Sequence, residues 1–157
     1  MNTEYDFVIR DDDLSGRQTR DLLRLHVQGM YANSPPGSVH ALDLSEIKQP
    51  NISVWTAWHG NQVAGIGALK IHPEGFGGVK SMRTHPTFLR RGVATLLLGH
   101  IVAEARARGI TRLSLETGTG AAFEPALALY VSYGFIFGEA FADYQQTAFN
   151  RFLHLSL

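Results

Sequence analysis

The hydrophobic residues of this 157-residue chain change their spacing at His85-Pro86, and this change constrains the fold strongly. Before it, residues 52–59 and 62–71 read as two strands, and Gly60-Asn61 between them is typical of a tight hairpin. After it, over residues 92–108, apolar side chains recur at a spacing of four, which is the period of one helix face: Val93, Leu97, Ile101 and Ala105. A chain that passes from a hairpin into a long amphipathic helix must pack a sheet against helices.

The remaining segments alternate between strand-like and helix-like patterns. We predict further strands over residues 7–10, 79–84 and 112–116, with a return to strand from 135 onward that finishes near 149–155. We predict helices over residues 17–30, 43–48 and 124–133. Since the hairpin makes part of the sheet antiparallel, the expected fold is an α/β layered domain with a mixed sheet, and residues 1–157 are expected to form that one domain.

Composition excludes several classes of function. Hydrophobic residues make up 45% of the chain, enough for a real core, and 14 basic residues balance 14 acidic ones, so no nucleic-acid partner is expected. Cysteine is absent and the seven histidines lack metal-ligand spacing, so neither a cysteine nucleophile nor a metal site is expected. The N-terminus does not resemble a signal peptide, and the most apolar stretch is too short to span a bilayer. We therefore expect a cytoplasmic protein without a membrane partner.

A glycine-containing segment at the start of the long predicted helix indicates an anion site. The run Leu89-Arg90-Arg91-Gly92-Val93-Ala94-Thr95 follows a strand and a turn. The first turn of a helix exposes unpaired backbone N–H groups, and a glycine there leaves room for a phosphate. Arg90 and Arg91 can add charge-assisted hydrogen bonds. We predict that the backbone amides of residues 91–95 bind a pyrophosphate-sized anion; the alternative is a basic loop before an ordinary helix.

Two motifs in this part of the chain resemble those of the GNAT superfamily of N-acetyltransferases. The first is a strand, a proline-containing turn and Gln/Arg-x-x-Gly-x-Gly/Ala; here Met82-Arg83-Thr84-His85-Pro86 precedes Leu89-Arg90-Arg91-Gly92-Val93-Ala94, with Leu89 in place of Gln or Arg. The second, Ala-x-x-Leu-Tyr-x-x-x-Gly-Phe, is matched by residues 126–135. Phe123 stands where the family often has a cofactor-contacting asparagine. The resemblance covers roughly residues 79–135.

The resemblance implies a fold, a donor and a mechanism. Two parallel central strands, 79–84 and 112–116, would splay apart in a mostly antiparallel sheet, and acetyl-CoA would lie between them. Tyr130 would protonate the departing thiolate, and Glu116 would act as the base, directly or through water. Direct transfer without an acyl-enzyme is expected. The residues assigned to the donor are Met82, Arg83, Thr84, Leu89, Arg90, Arg91, Gly92, Val93, Ala94 and Thr95.

The acceptor side is less determined by these motifs. His40 lies in the region that lines the acceptor site in the family, and Lys80 or Arg83 could recognise an acceptor carboxylate. For Tyr130 a core position is the alternative to catalysis, and for Glu116 a solvated or salt-bridged carboxylate. The resulting hypothesis is transfer of acetyl to the primary amine of a small molecule, by a chain that could form a homodimer. The alternative is a non-catalytic module that senses acyl-CoA.

Overall fold

The structure is a computed structural model, and it describes residues 6–157. Within this range the strands are β1 (Val8–Asp11), β2 (Ile52–His59), β3 (Gln62–Ile71), β4 (Gly77–Thr84), β5 (Arg112–Thr117), β6 (Ile136–Gly138) and β7 (Arg151–Ser156). The helices are α1 (Arg17–Ala32), α2 (Leu44–Ile47), α3 (Val93–Ala107) and α4 (Glu124–Tyr133), and single 3-10 turns precede α3 and α4.

Local chemistry explains where several helices begin and end. Asp43 caps α2, because its carboxylate accepts from the backbone N–H of Glu46 at 2.9 Å while the Glu46 side chain reaches back to the Asp43 N–H. Gly92 precedes α3 with a left-handed φ of 81°. Gly134 ends α4 in the same region, at a φ of 117°, where a side chain would be strained.

The strands form one sheet in the order β1-β2-β3-β4-β5-β7-β6. Every neighbouring pair is antiparallel except β4 and β5, which are parallel and pair only at Gly77 with Leu113 and at Gly78 with Ser114. Beyond these two positions the strands separate. The predicted α/β fold, with a mostly antiparallel sheet, two splayed parallel central strands and flanking helices, is therefore confirmed.

The sheet is covered on both faces. Helices α3 and α4 lie over one face, with Leu97, Leu98 and Ile101 fully buried. Helices α1 and α2 lie over the other, around Leu22 and Ile47. Since both faces are covered, the space between the parted strands is enclosed on its sides and opens at their carboxyl ends.

Close approach of α3 depends on glycines in β3. A Cβ placed on Gly65 would lie 2.6 Å from Val93 Cγ1 and 2.9 Å from Leu97 Cδ1, so a side chain there would push the start of the helix away from the sheet. These glycines therefore allow the first turn of α3 to lie beside the end of β4. No helix within residues 6–157 is long and apolar enough to cross a membrane.

Candidate active site

A cleft of about 580 Å³ opens where β4 and β5 part. Its walls are β4, the end of β5, the start of α3, one side of α4 and the segment between α1 and α2. The structure brings most of the predicted site residues to this one cleft: Met82, Arg83, Thr84, Leu89, Arg90, Gly92, Val93, Ala94, Thr95, Glu116, Tyr130 and His40. Residues that are far apart in the sequence therefore share one cavity.

The start of α3 presents free backbone donors to the cleft. The first helical hydrogen bond runs from the N–H of Leu96 to the carbonyl of Gly92, at 3.0 Å, which leaves the N–H groups of residues 93–95 without an acceptor inside the helix. A Cβ on Gly92 would meet nothing within 4 Å. Arg90 has a left-handed φ of 62°, a conformation that a non-glycine residue seldom adopts. Open space in front of unpaired amides suits an anionic group.

The side chains of Arg90 and Arg91 point in different directions. Arg90 lines the cleft, whereas the side chain of Arg91 turns away from it. The Arg91 guanidinium lies 3.6 Å from the carboxylate of Asp6 and over the rings of Phe7 and Phe88, at 5.2 and 5.5 Å. The expected side-chain contribution of Arg91 to anion binding is therefore corrected: its charge pairs with Asp6 at the edge of β1, and only its backbone is left near the cleft.

A β-bulge shapes the β4 wall. Ile66 pairs with Arg83 and Ala68 pairs with Lys80, so Gly67 alone faces the two residues Ser81 and Met82. Ser81 takes a left-handed φ of 58°, and its buried hydroxyl has no hydrogen-bond partner among residues 6–157. The bulge interrupts the β3–β4 ladder at the level of the cleft. On its other edge β4 is unpaired beyond Gly78, because β5 separates from it there, and this leaves backbone groups of that edge available to a ligand.

Tyr130 lies on α4 with its side chain buried, 6% exposed, at the wall of the cleft. Its ring packs edge-on against Phe135 at 5.6 Å between centroids. Burial raises the pKa of the Tyr130 phenol well above its ordinary value. The phenol therefore stays protonated at neutral pH. The ring is packed in the core while the residue also lines the cavity, so this position is compatible with both alternatives, a core tyrosine and a catalytic one.

Glu116 lies at the end of β5, and its carboxylate forms hydrogen bonds with two side chains. One carboxylate oxygen lies 2.7 Å from His40 Nδ1, and the other accepts from Asn150 Nδ2 at 3.0 Å. A carboxylate only accepts, so Nδ1 of neutral His40 carries the proton and Nε2 is left as the basic nitrogen. The His40 ring also packs on Tyr144, with centroids 5.0 Å apart. Glu116 and His40, which are 76 residues apart, thus form one hydrogen-bonded pair.

Three further basic groups line the same part of the cleft. Lys80 Nζ donates to the Tyr144 hydroxyl at 2.7 Å and to the His40 carbonyl at 3.2 Å. Arg83 Nε donates to His26 Nδ1 at 3.1 Å. Burial, together with the charges of Arg83 and Lys80, lowers the pKa of His26 to about 3, so His26 is neutral. The sequence did not point to His26 or to Asn150 as members of this network, since no motif marks them; residues 141–144, which include Tyr144, were expected either to form an acceptor-side loop or to pack at the surface.

Comparison of the fold defines the class of protein first. The structure superposes on that of a Klebsiella pneumoniae protein assigned to the acyl-CoA N-acyltransferases with a TM-score of 0.81 and 26% identity, covering 96% of this chain and 97% of the other. It superposes on a GNAT family acetyltransferase of Elizabethkingia anophelis, solved with acetyl-CoA bound, with a TM-score of 0.71 and 17% identity, covering 97% and 99%. The fold is that of the N-acyltransferases.

Sequence comparison gives the family. Residues 19–135 match the Acetyltransferase (GNAT) family. The N-acetyltransferase YedL of Escherichia coli (strain K12) is 48% identical over 151 residues, 96% of this chain and 95% of YedL. The N-acetyltransferase YsnE of Bacillus subtilis (strain 168) is 52% identical over 136 residues, 87% and 90%. The chain belongs to the GNAT family and is an acetyl-CoA-dependent N-acetyltransferase, which confirms the resemblance drawn from the motifs.

Proposed function

We propose that the chain transfers acetyl from acetyl-CoA directly to the primary amine of a small molecule. The observation that carries this proposal is the single cleft that joins free helix amides, a buried tyrosine and a carboxylate–histidine pair. Its volume of about 580 Å³ must hold the acyl end of the donor as well as the acceptor, which favours a small acceptor.

The donor would be held mainly by main chain. The backbone N–H groups of residues 93–95 and the space in front of Gly92 suit the pyrophosphate of coenzyme A, and Arg90 adds a positive charge. Met82 and Thr84, beside the bulge, offer backbone groups to the pantetheine amides. A backbone N–H near Thr84 would polarise the thioester carbonyl. Leu89 contributes an apolar wall, since it has no side-chain donor.

The proposed base is the Glu116–His40 pair. Glu116 orients His40 through Nδ1, and Nε2 accepts the proton that the amine loses as its nitrogen bonds to the acetyl carbon. Glu116 thereby acts through His40, where the sequence suggested direct action or a water. Asn150 fixes the second carboxylate oxygen.

The proposed acid is Tyr130. As the carbon–sulfur bond breaks, its phenol gives a proton to the sulfur, and the proton gained by His40 balances the proton lost by Tyr130. The phenol is protonated at neutral pH even without the rise in its pKa on burial, and the same apolar surroundings disfavour a free thiolate, which favours proton transfer to the sulfur. Exchange with solvent restores both groups after each turnover.

The test is Tyr130→Phe, with Tyr133→Phe as the matched control on the same helix. We expect Tyr130→Phe to lower kcat by about 100-fold or more while coenzyme A binding, measured by calorimetry, is retained. Tyr133, whose hydroxyl lies near Gly99 of α3, should be replaceable without loss of turnover. Turnover is followed as thiol release over an amine library.

Two outcomes would contradict this proposal. Unchanged turnover in Tyr130→Phe would remove Tyr130 from the mechanism. Stabilisation by coenzyme A without thiol release for any amine would favour the alternative, a module that senses acyl-CoA. The homodimer remains a prediction, and sedimentation of the purified chain would test it.

A further inference from the structure

The bulge in β4 places two cations on the same face of the sheet. Side chains alternate along a regular strand, so residues three apart, such as Lys80 and Arg83, would point to opposite faces. Here Lys80 pairs with Ala68 and Arg83 with Ile66, two residues that share a face because they are two apart on β3. The extra residue at the bulge thus brings both cations to the α1–α2 face.

Met82, between these cations, points the other way. A Cβ on Gly67 would lie 2.7 Å from Met82 Sδ and 3.0 Å from Ile101 Cδ1, so Met82 packs on the α3 side. The two cations and the first turn of α3 therefore lie in different parts of the cleft. Glu116 and His40 lie with Lys80, whose Nζ reaches the His40 carbonyl. The cations thus adjoin the proposed base.

Neither cation has an anionic partner in the described part of the chain. No carboxylate oxygen lies within 4.0 Å of Lys80 Nζ or of the Arg83 guanidinium among residues 6–157. Their hydrogen-bond partners are neutral: a tyrosine hydroxyl, a backbone carbonyl and the His26 ring. Both side chains are partly buried, and burying a charge is costly unless it is paired. A ligand with a negative group would supply the missing partner.

The charges on the proposed acceptor side match a molecule that carries a carboxylate at one end and an amine at the other. Lys80 and Arg83 supply two positive charges. Glu116 and Glu46 supply negative charges that act on Lys80 without forming a salt bridge with it, no carboxylate pairs with Arg83 among residues 6–157, and His26 is neutral. A carboxylate fits the cations, and an amine fits the Glu116–His40 pair. A diamine or polyamine, in contrast, would bring a second positive charge towards Lys80 and Arg83.

We propose that the acceptor is an aminocarboxylate, whose carboxylate binds to Lys80 and Arg83 while its amine faces His40. This inference rests on the proposed function and names its substrate class. Arg83, which the motif assigned to the donor and which was also a candidate for the acceptor, belongs to the acceptor side, together with Lys80.

The experiment compares matched pairs of acceptors. Initial rates of thiol release are measured with L-amino acids, β-alanine and 4-aminobutyrate, each against its carboxamide, and with simple alkyl diamines. We expect kcat/KM to be about 10- to 100-fold higher for the carboxylate of the best pair than for its carboxamide, as for a hydrogen bond to a charged group. Lys80→Gln and Arg83→Gln should each remove most of this preference, chiefly through KM.

Controls separate recognition from misfolding. Arg24→Gln, at an exposed cation of α1 that contacts Asp21, should keep the wild-type preference. Calorimetric binding of coenzyme A should persist in Lys80→Gln and Arg83→Gln, and Lys80→Arg should restore part of the preference. Binding of the same aminocarboxylates to the protein saturated with coenzyme A gives a second readout that does not need turnover.

The outcomes distinguish the two proposals. Equal or better turnover of carboxamides or diamines overturns the aminocarboxylate inference and leaves the acetyltransferase proposal standing. Wild-type preference in both glutamine variants overturns it as well, as does failure of every aminocarboxylate to bind or react. Aminocarboxylate binding that depends on Lys80 and Arg83, but without thiol release, supports the inference and contradicts the catalytic proposal.

Discussion

Replacing His26 with asparagine tests how strongly the surroundings of the cleft keep this buried histidine uncharged. His26 is 7% exposed on α1, and its Nδ1 accepts from Arg83 Nε at 3.1 Å. The groups that bear on its charge, Arg83 and Lys80, are both positive, and with burial they lower its pKa to about 3. An asparagine amide oxygen can take the place of Nδ1 as the acceptor for Arg83 but does not titrate in this range.

The sign and size of the effect follow from proton linkage. In the unfolded chain His26 binds a proton below about pH 6.5, whereas in the folded chain it stays neutral down to about pH 3. Acid therefore favours the unfolded state, and stability is lost as the pH falls through the unfolded value. At about 1.4 kcal/mol per pH unit over about 1.5 units, the loss at about pH 5 is about 2 kcal/mol.

The assay is urea unfolding of both proteins from about pH 8 to about pH 5, followed by the fluorescence of the two tryptophans, Trp55 and Trp58, of which Trp55 is 2% exposed. The free energy of unfolding of the wild type minus that of His26→Asn should be level above about pH 7 and fall by about 2 kcal/mol by about pH 5. Titrations common to both proteins cancel in this difference. A difference that does not change with pH would refute the reasoning, because it would mean that folded His26 takes up a proton as readily as the unfolded chain.

Two glycine substitutions make opposite predictions about stability. In Gly77→Ala the new Cβ would lie 2.7 Å from Leu113 Cδ2 and 2.9 Å from Leu69 Cδ1, both in the core, so we expect urea unfolding to show a loss of about 1–3 kcal/mol. Gly16→Ala should lose less, because the space around Gly16 is open and the cost is only that of a poorer N-cap for α1; a loss in Gly16→Ala as large as that in Gly77→Ala would contradict this. In Gly99→Ala the nearest atom is Tyr133 Oη at 3.7 Å, an ordinary contact, so helix propensity should raise the free energy of unfolding by about 0.5–1 kcal/mol, and a lower urea midpoint would contradict this.

Local patterns predicted the elements well because their causes are local. The hairpin at Gly60-Asn61 and the spacing-four stripe of α3 depend on neighbouring residues, and the observed helix, Val93–Ala107, differs by one residue at each end from the expected range. After residue 135 the sequence predicted a return to strand, but the structure has only a three-residue strand there, Ile136–Gly138. The chain then runs through turns and loops before it re-enters the sheet as β7.

The directions in which side chains point in the cleft could not be predicted from local sequence patterns. Arg91 turns away because Asp6 and Phe7, which are more than eighty residues earlier, lie beside it. The pairing of His40 with Glu116 joins a loop to a distant strand end. Neither contact can be predicted from the neighbouring residues in the sequence, since each depends on which strands become neighbours in the sheet.

The bulge in β4 lies between the proposed donor side and the proposed acceptor side of the cleft. If residues 80–83 ran as a regular strand without the bulge, β4 would pair with β3 without interruption, and Lys80 and Arg83, three residues apart, would lie on opposite faces. The bulge therefore gathers two cations on one face, while the separation of β5 from β4 leaves main-chain groups free on the other edge of the same strand. Because Met82 packs against the α3 side, the same few residues of β4 contact both halves of the cleft. The register of this strand therefore places Lys80 and Arg83, the proposed partners of the acceptor carboxylate, on one face.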